Sequence, residues 1–177
     1  MKGRSRYIFK CNIFFVLFLL SPVSQAKVVI TNDNNFIIEH EVVVPINVKD
    51  SYRLLGKPSR WWNAEHTWSG DAKNMSMQLK AGGCFCEQWN DSSVMHAQVI
   101  TAQPGAVLRL QGALGPLQDM AVTGVLSFSL KQEHSGTRVQ LRYRVRGIDS
   151  HQLAGLDAAV DTVLGEQLES FRKAANK

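Results

Sequence analysis

Three features of the 177-residue chain predict an α+β fold. A long amphipathic helix closes it, short strands at regular spacing precede that helix, and no other segment carries a helical signal of comparable length. In the closing segment, from Ser150 to Ala175, Leu153, Leu156, Val160, Val163, Leu164, Leu168 and Phe171 recur at three- and four-residue steps. At helical pitch they occupy an arc of roughly 140°. Asp149 or Ser150 suits the N-cap, and Arg172 and Lys173 suit the negative end of the dipole. One helix cannot bury such a stripe alone. The expected architecture is therefore a curved antiparallel sheet of about seven strands wrapped around it. Asp157 and Gln167 interrupt the stripe, and Gly155 and Gly165 lower its helix propensity. Local packing accounts for these interruptions, and so does a helix that lines a partly polar cavity.

The elements follow from the N-terminal side. Residues 27 to 35 end in Thr31-Asn32-Asp33-Asn34-Asn35, a polar turn expected to tether the chain loosely. Residues 36 to 44 are rich in β-branched residues and read as the first strand, closed by Pro45. Two short helical pieces follow, one over 47 to 55 and stopped by Gly56 and Pro58, the second a turn around Trp61 and Trp62. Six strands are then expected over residues 75–79, 84–89, 94–101, 107–111, 122–131 and 137–147, with Gly, Pro, Asn or Asp in most of the turns. The last strand alternates cleanly, with Val139, Leu141, Tyr143 and Val145 on one face and Arg138, Gln140, Arg142, Arg144 and Arg146 on the other. Such a basic row reads as the solvated face of a sheet.

Composition is that of a soluble globular chain, 45% hydrophobic and 20% charged. The formal charge of +5 comes largely from Lys2, Arg4, Arg6 and Lys10; the remainder holds sixteen basic residues against fifteen acidic ones. Such a balance argues against a nucleic-acid partner. Those four charges precede the apolar run Ile13 to Leu20, then Pro22 and Ser24-Gln25-Ala26, the organisation of a secretory signal. Residues 1–26 are therefore expected to be a signal peptide cut after Ala26. Residues 27–177 then form one exported domain, in the periplasm if the source is a bacterium, with no stable membrane insertion after cleavage.

The chain carries no phosphate loop, dinucleotide fingerprint, nucleophile elbow or paired histidines at metal-ligand spacing, and no cofactor is expected. Trp61, Trp62 and Trp68 lie within eight positions, as suits either a core or the mouth of a ligand site. Glu87 shares a strand face with Phe85 and Trp89. On a cavity wall it is a carboxylate among aromatics, where a raised pKa and proton transfer become possible; on the outer face it is an ordinary solubilising residue. His96, in mid-strand, suits a core role or a catalytic one. Cys84 and Cys86 are the only cysteines left after signal removal. In a flat strand their Cα atoms would lie roughly 6.6 Å apart, at the upper limit for a disulfide. They are therefore expected to be small buried thiols, with a redox-active pair and a Cu(I) site as the alternatives.

Arg60-Trp61-Trp62, the Gly82-Gly83 turn before Cys84-Phe85, Pro104-Gly105 before Leu108-Arg109-Leu110, and the final helix together resemble the SRPBCC or START-like superfamily, whose fold is the helix grip. Within it the chain is similar to the branch named after activators of a heat-shock chaperone ATPase, and to exported bacterial members of no assigned function. The superfamily includes polyketide cyclases and lipid-transfer domains, so the resemblance marks fold more than chemistry. Two functions follow. In one, the chain binds a lipid, sterol-like or aromatic molecule in an apolar cavity between sheet and helix. Trp61, Trp62, Trp68, Phe85, Trp89, Tyr143, Asp157 and Leu164 are the candidate contacts. In the other it is a cyclase- or hydrolase-type enzyme, with Glu87, His96 or Asp157 as acid or base. Chaperone-ATPase activation, implied by the branch name alone, does not suit an exported protein. No protein partner is indicated.

Overall fold

The structure, a computed structural model, describes residues 26–148 and 152–177. Its strands are β1 (Ala26–Asn32), β2 (Asn35–Val44), β3 (Met75–Met77), β4 (Cys84–Trp89), β5 (Ser92–Gln103), β6 (Val107–Gln111), β7 (Thr123–Glu133) and β8 (Gly136–Arg146). They form one antiparallel sheet in the order β1-β2-β8-β7-β6-β5-β4-β3. Helix α1 (Val48–Leu55) follows β2, and helix α2 (Asp157–Ala175) ends the chain. The expected α+β arrangement of a sheet and a long terminal helix is present, with eight strands rather than seven.

The additional strand is β1. The sequence reads these residues as a loose tether, yet Ala26 to Asn32 pair with His40 to Asn35 of β2 across the turn at 33–34. Asn32 holds that turn: its side-chain oxygen accepts from the backbone N–H groups of Asn34 and Asn35. The polar run is thus a hairpin turn. The second correction concerns the pieces between β2 and β3. Only α1, capped by the Asn47 side chain on Asp50 N–H, is an α-helix. The rest, from 57 to 74, is a strap built on three 3-10 turns at Pro58–Arg60, Ala64–His66 and Ala72–Asn74.

The inner face of the sheet follows from alternation. Phe36, Ile38, His40, Val42 and Val44 of β2 point inward, as do Val139, Leu141, Tyr143 and Val145 of β8. On the outer face Arg138 pairs with Glu41 and Glu133, and Arg142 with Glu39 at 2.9 Å, so half of the basic row is neutralised by neighbouring strands. Tyr143 is fully buried, and burial holds its hydroxyl in the neutral form. It donates to Gly112 C=O and accepts from Leu114 N–H. A side chain at Gly124 would sit 2.5 Å from that hydroxyl, so glycine makes the close fit possible.

Helix α2 begins at Asp157, after a short 3-10 turn over Leu153–Gly155, and packs on β2 and β1. The residues expected to cap it, Asp149 and Ser150, lie outside the described residues. Its C-terminal half is submerged: Leu164, Gln167, Leu168, Phe171, Ala174 and Ala175 are all buried. The Phe171 ring meets Trp61 edge-on at 5.5 Å. Gly155 falls in the 3-10 turn before the helix, and Gly165, within it, is in close contact, since a Cβ there would come within 2.9 Å of the His40 ring. Toward the N-terminal end the cover is thinner: Leu156, just before the helix, and Val160 and Val163 within it are only half-buried. Replacing Phe171 by Ala should cost about 3–5 kcal/mol, as for other buried aromatics. Urea denaturation measures it, and a loss under about 1 kcal/mol would show that this end of α2 is not core.

Candidate functional site

A cavity of about 480 Å³ opens beside the half-covered end of α2. Leu156, Val160, Val163 and Leu164 form its helix wall. Trp62 and Trp68 of the strap form the opposite side, and the loop from Leu114 to Met120 contributes Leu114, Pro116, Leu117 and Met120. Glu65, His66 and Thr67 bring polar groups to the lining, and His96 reaches it from the sheet. A smaller depression beside α1 is edged by Asp50, Arg53, Lys57, Arg60 and Lys177, far more polar and away from His96.

His96 faces inward because β5 carries an extra residue. Phe85 pairs with Ala97 and Cys86 with Met95, leaving His96 without a partner residue in the register. As a result His96 and Ala97, adjacent in sequence, are both buried. An unbroken alternation that buries Ala97 and Val99 would have turned His96 to solvent, so the bulge re-aims it. Its Nε2 lies 3.1 Å from Glu87 Oε2, and Glu87 is fully buried. The Glu87 carboxylate also accepts from the backbone N–H groups of Trp68, at 3.0 Å, and Ser69, at 2.5 Å. Phe85 stands behind the lining, its ring 5.2 Å from those of Trp62 and His96.

The electrostatics correct the expectation of a raised Glu87 pKa. Burial does push it up, but the hydrogen bonds from Ser69, Trp68 and His96 outweigh this and hold the carboxyl below its ordinary value. For His96 burial dominates and lowers the pKa, against the pull of Glu87. The pair is therefore a carboxylate beside a neutral imidazole. Because an ionised carboxylate can only accept, His96 carries its proton on Nε2 and presents Nδ1 as an acceptor.

The remaining candidates separate cleanly. Trp62, Trp68 and Leu164 line the cavity and Phe85 backs it. Trp61 does not: it is buried in the core, between Phe128 and Phe171, and its indole N–H donates to Leu54 C=O. Tyr143 is likewise core, and Trp89, at the end of β4, is not among the lining residues. Asp157 is the first residue of α2, where its carboxylate accepts from Ala158 N–H; it touches neither Glu87 nor His96. Of the three acid–base candidates, Glu87 and His96 lie within hydrogen-bond distance of each other and Asp157 stands apart. Gln167, the other polar interruption, is buried and accepts from Asn63 N–H, tying the strap to the helix. Sequence reading missed two further contacts of α2: His40 with Asp161 at 2.9 Å, and His66 with Glu166 at 2.8 Å. The residues of each pair lie about a hundred or more positions apart, so nothing local announces them.

Cys84 and Cys86 require the largest correction, since they are joined in a disulfide with Cα atoms 5.4 Å apart. The expectation of free thiols assumed a flat strand. The register shift against β5 falls between Phe85 and Cys86, and a ladder broken at that point lets β4 bend. The bond also takes up both thiolates that a Cu(I) ion would need. Among the described residues no three His, Cys, Asp or Glu side chains converge as a metal site.

No family model matches the chain, and no curated protein matches it. Solved structures do. A protein from Mesorhizobium loti superposes with a TM-score of 0.57 at 14% identity, over 79% of this chain and 96% of its own. The di-domain ARO/CYC StfQ of the steffimycin biosynthetic pathway gives 0.56 at 13% identity, over 81% of this chain and 51% of StfQ. DynU16, from the dynemicin biosynthetic locus, gives 0.58 at 11%, over 83% and 48%. The fold is a helix grip. At these identities the likeness reaches the fold and stops there.

The buried pair makes stability pH-dependent. The unfolded chain binds a proton at His96 near pH 6.5, while the folded chain binds it only at lower pH. This contribution is therefore complete above about pH 6.5 and is lost as pH falls. Glu87, lowered in the fold, adds a second loss that begins near its unfolded value of about 4.3. Urea midpoints measured from pH 7.5 to 4 should fall on acidification, and His96→Gln should flatten the upper part of that slope. Superimposable profiles would remove His96 from the titration.

Proposed function

We propose that the chain is an exported carrier of a small apolar molecule, aromatic, sterol-like or lipid, held between the sheet and the half-covered end of α2. The observation that carries this reading is the 480 Å³ cavity, within the range of small-molecule sites, with mostly apolar walls and one neutral imidazole. The shared fold with StfQ, a di-domain ARO/CYC, supports a cavity able to take an aromatic body. Export rests on residues 1–26, which lie almost wholly outside the described residues. Cleavage after Ala26 would leave β1 complete but for its first residue.

A second reading is favoured by the Glu87–His96 pair itself. A neutral imidazole held by a buried carboxylate is the arrangement of a general base, because the carboxylate stabilises the imidazolium formed when Nδ1 takes a proton. In that case the bound molecule is transformed rather than carried.

Fatty acids, sterols and polycyclic aromatics at one hundred times Kd should each stabilise a binding-competent chain by about 2.7 kcal/mol, which raises Tm by several degrees. Quenching of tryptophan fluorescence should accompany the shift, given Trp62 and Trp68 on the wall. Val163→Trp, which fills the cavity from the helix side, should abolish both signals while the far-ultraviolet circular dichroism stays unchanged. A panel that moves neither Tm nor fluorescence overturns the carrier reading. For export, N-terminal sequencing of the secreted fraction should begin at Lys27.

A further inference from the structure

We propose that the Cys84–Cys86 bond is an exchangeable redox site, opened by a dithiol partner and closed again by that partner's disulfide form, rather than a structural staple. It is independent of the carrier reading. The cysteines are two residues apart, so the bond closes a very short loop and restricts the unfolded chain far less than a bridge across a long loop. A staple so placed does little for the fold. Its position suits exchange instead. Phe85 and Glu87 point inward from β4, so Cys84 and Cys86 lie on the outer face, each only partly buried. The residues paired with them are Ser76 and Met95 for Cys86 and Gln98 for Cys84. None is a carboxylate that would repel an incoming thiolate, and Met95 is 59% exposed.

The exchange is balanced by two electrons and two protons. A thiolate of the dithiol attacks one sulfur, forming a mixed disulfide and releasing the other cysteine as a thiolate that takes up a proton. The second thiol of the reductant then attacks the mixed bond. The reductant leaves as its own disulfide, and Cys84 and Cys86 remain as two thiols.

Opening the bond has a consequence on the other face of the sheet. The two Cα atoms, held at 5.4 Å, become free to approach the roughly 6.6 Å of a regular strand. The register that then readjusts is the one that leaves His96 unpaired and turned inward. The oxidised site thus fixes the position of the imidazole at the cavity.

Intact mass of the chain purified without reductant should be two hydrogens below that of the dithiothreitol-treated chain. In glutathione redox buffers at neutral pH, without denaturant, acid quenching and alkylation should find both forms coexisting. Their ratio should be the same whether approached from the oxidised or the reduced side. The imidazole resonances of His96 should differ between the two forms. Free thiols in protein purified without reductant would overturn the proposal. So would a bond that opens only when denaturant is added, since that is the behaviour of a staple. His96 resonances identical in the two forms would remove the coupling between the two faces.

Discussion

A fully buried carboxylate has to find donors, and the way Glu87 finds them shapes this end of the molecule. Glu87 in β4 is closed off from the protein surface, so an unpaired anion there would be untenable. The donors come from two directions: the backbone of the strap at Trp68 and Ser69, and the ring of His96 from β5. The strap, which has no ladder of its own, is joined to the sheet by this side chain and by the ring contacts of Trp61 with Phe128 and Trp62 with Phe85. The bulge in β5 is equally tied to it, because only an inward His96 can reach the carboxylate. This acidic residue thus helps to position Trp68 and the His96 imidazole.

The second constraint is how far helix and sheet cover each other. The apolar stripe from Leu153 to Phe171 is buried at its two ends and only half-buried at Leu156, Val160 and Val163 between them. Where the two coincide the core is closed, with Phe171, Trp61 and Phe128 packed edge to face. Along Leu156, Val160 and Val163 the strap and the 114–120 loop cover the segment incompletely, and the cavity lies there. Gln167 and the His66–Glu166 contact hold the strap to the same helix, so the opening is bounded by polar ties at one side and apolar residues within.

How far the sequence made this legible follows from the range of each signal. Period-two and period-3.6 patterns are local, and β4 and β6 were bounded correctly from them, as was the terminal helix apart from its irregular first turns. The strand β1 was hidden because Asn32 to Asn35 signal a turn without saying that the residues before it pair. Site residues were harder. The inward face of Glu87 rested on a choice between two mixed faces, and the sequence did not decide it. His96 was unreadable in principle, since a bulge shifts the alternation on which any assignment of its face depends. The cysteine geometry failed for the same reason. Trp61 and Trp62, adjacent and chemically alike, fall into core and cavity wall respectively, in the turn that follows the 3-10 piece Pro58–Arg60.

The sheet order also dictates when this protein can fold. Strand β2 finds its partner in β8, so that Asn35 meets Arg146 and Val44 meets Thr137. Before that pairing forms, β2 has only the β1 hairpin beside it, and the helix that seals its inner face is later still in the chain. Contacts so distant in sequence make for slow folding, because loop closure must precede any gain from the contact. A chain emerging from synthesis therefore exposes the apolar face of β2 until nearly all of it has been made. That delay leaves it dependent on whatever shields apolar strands in the meantime.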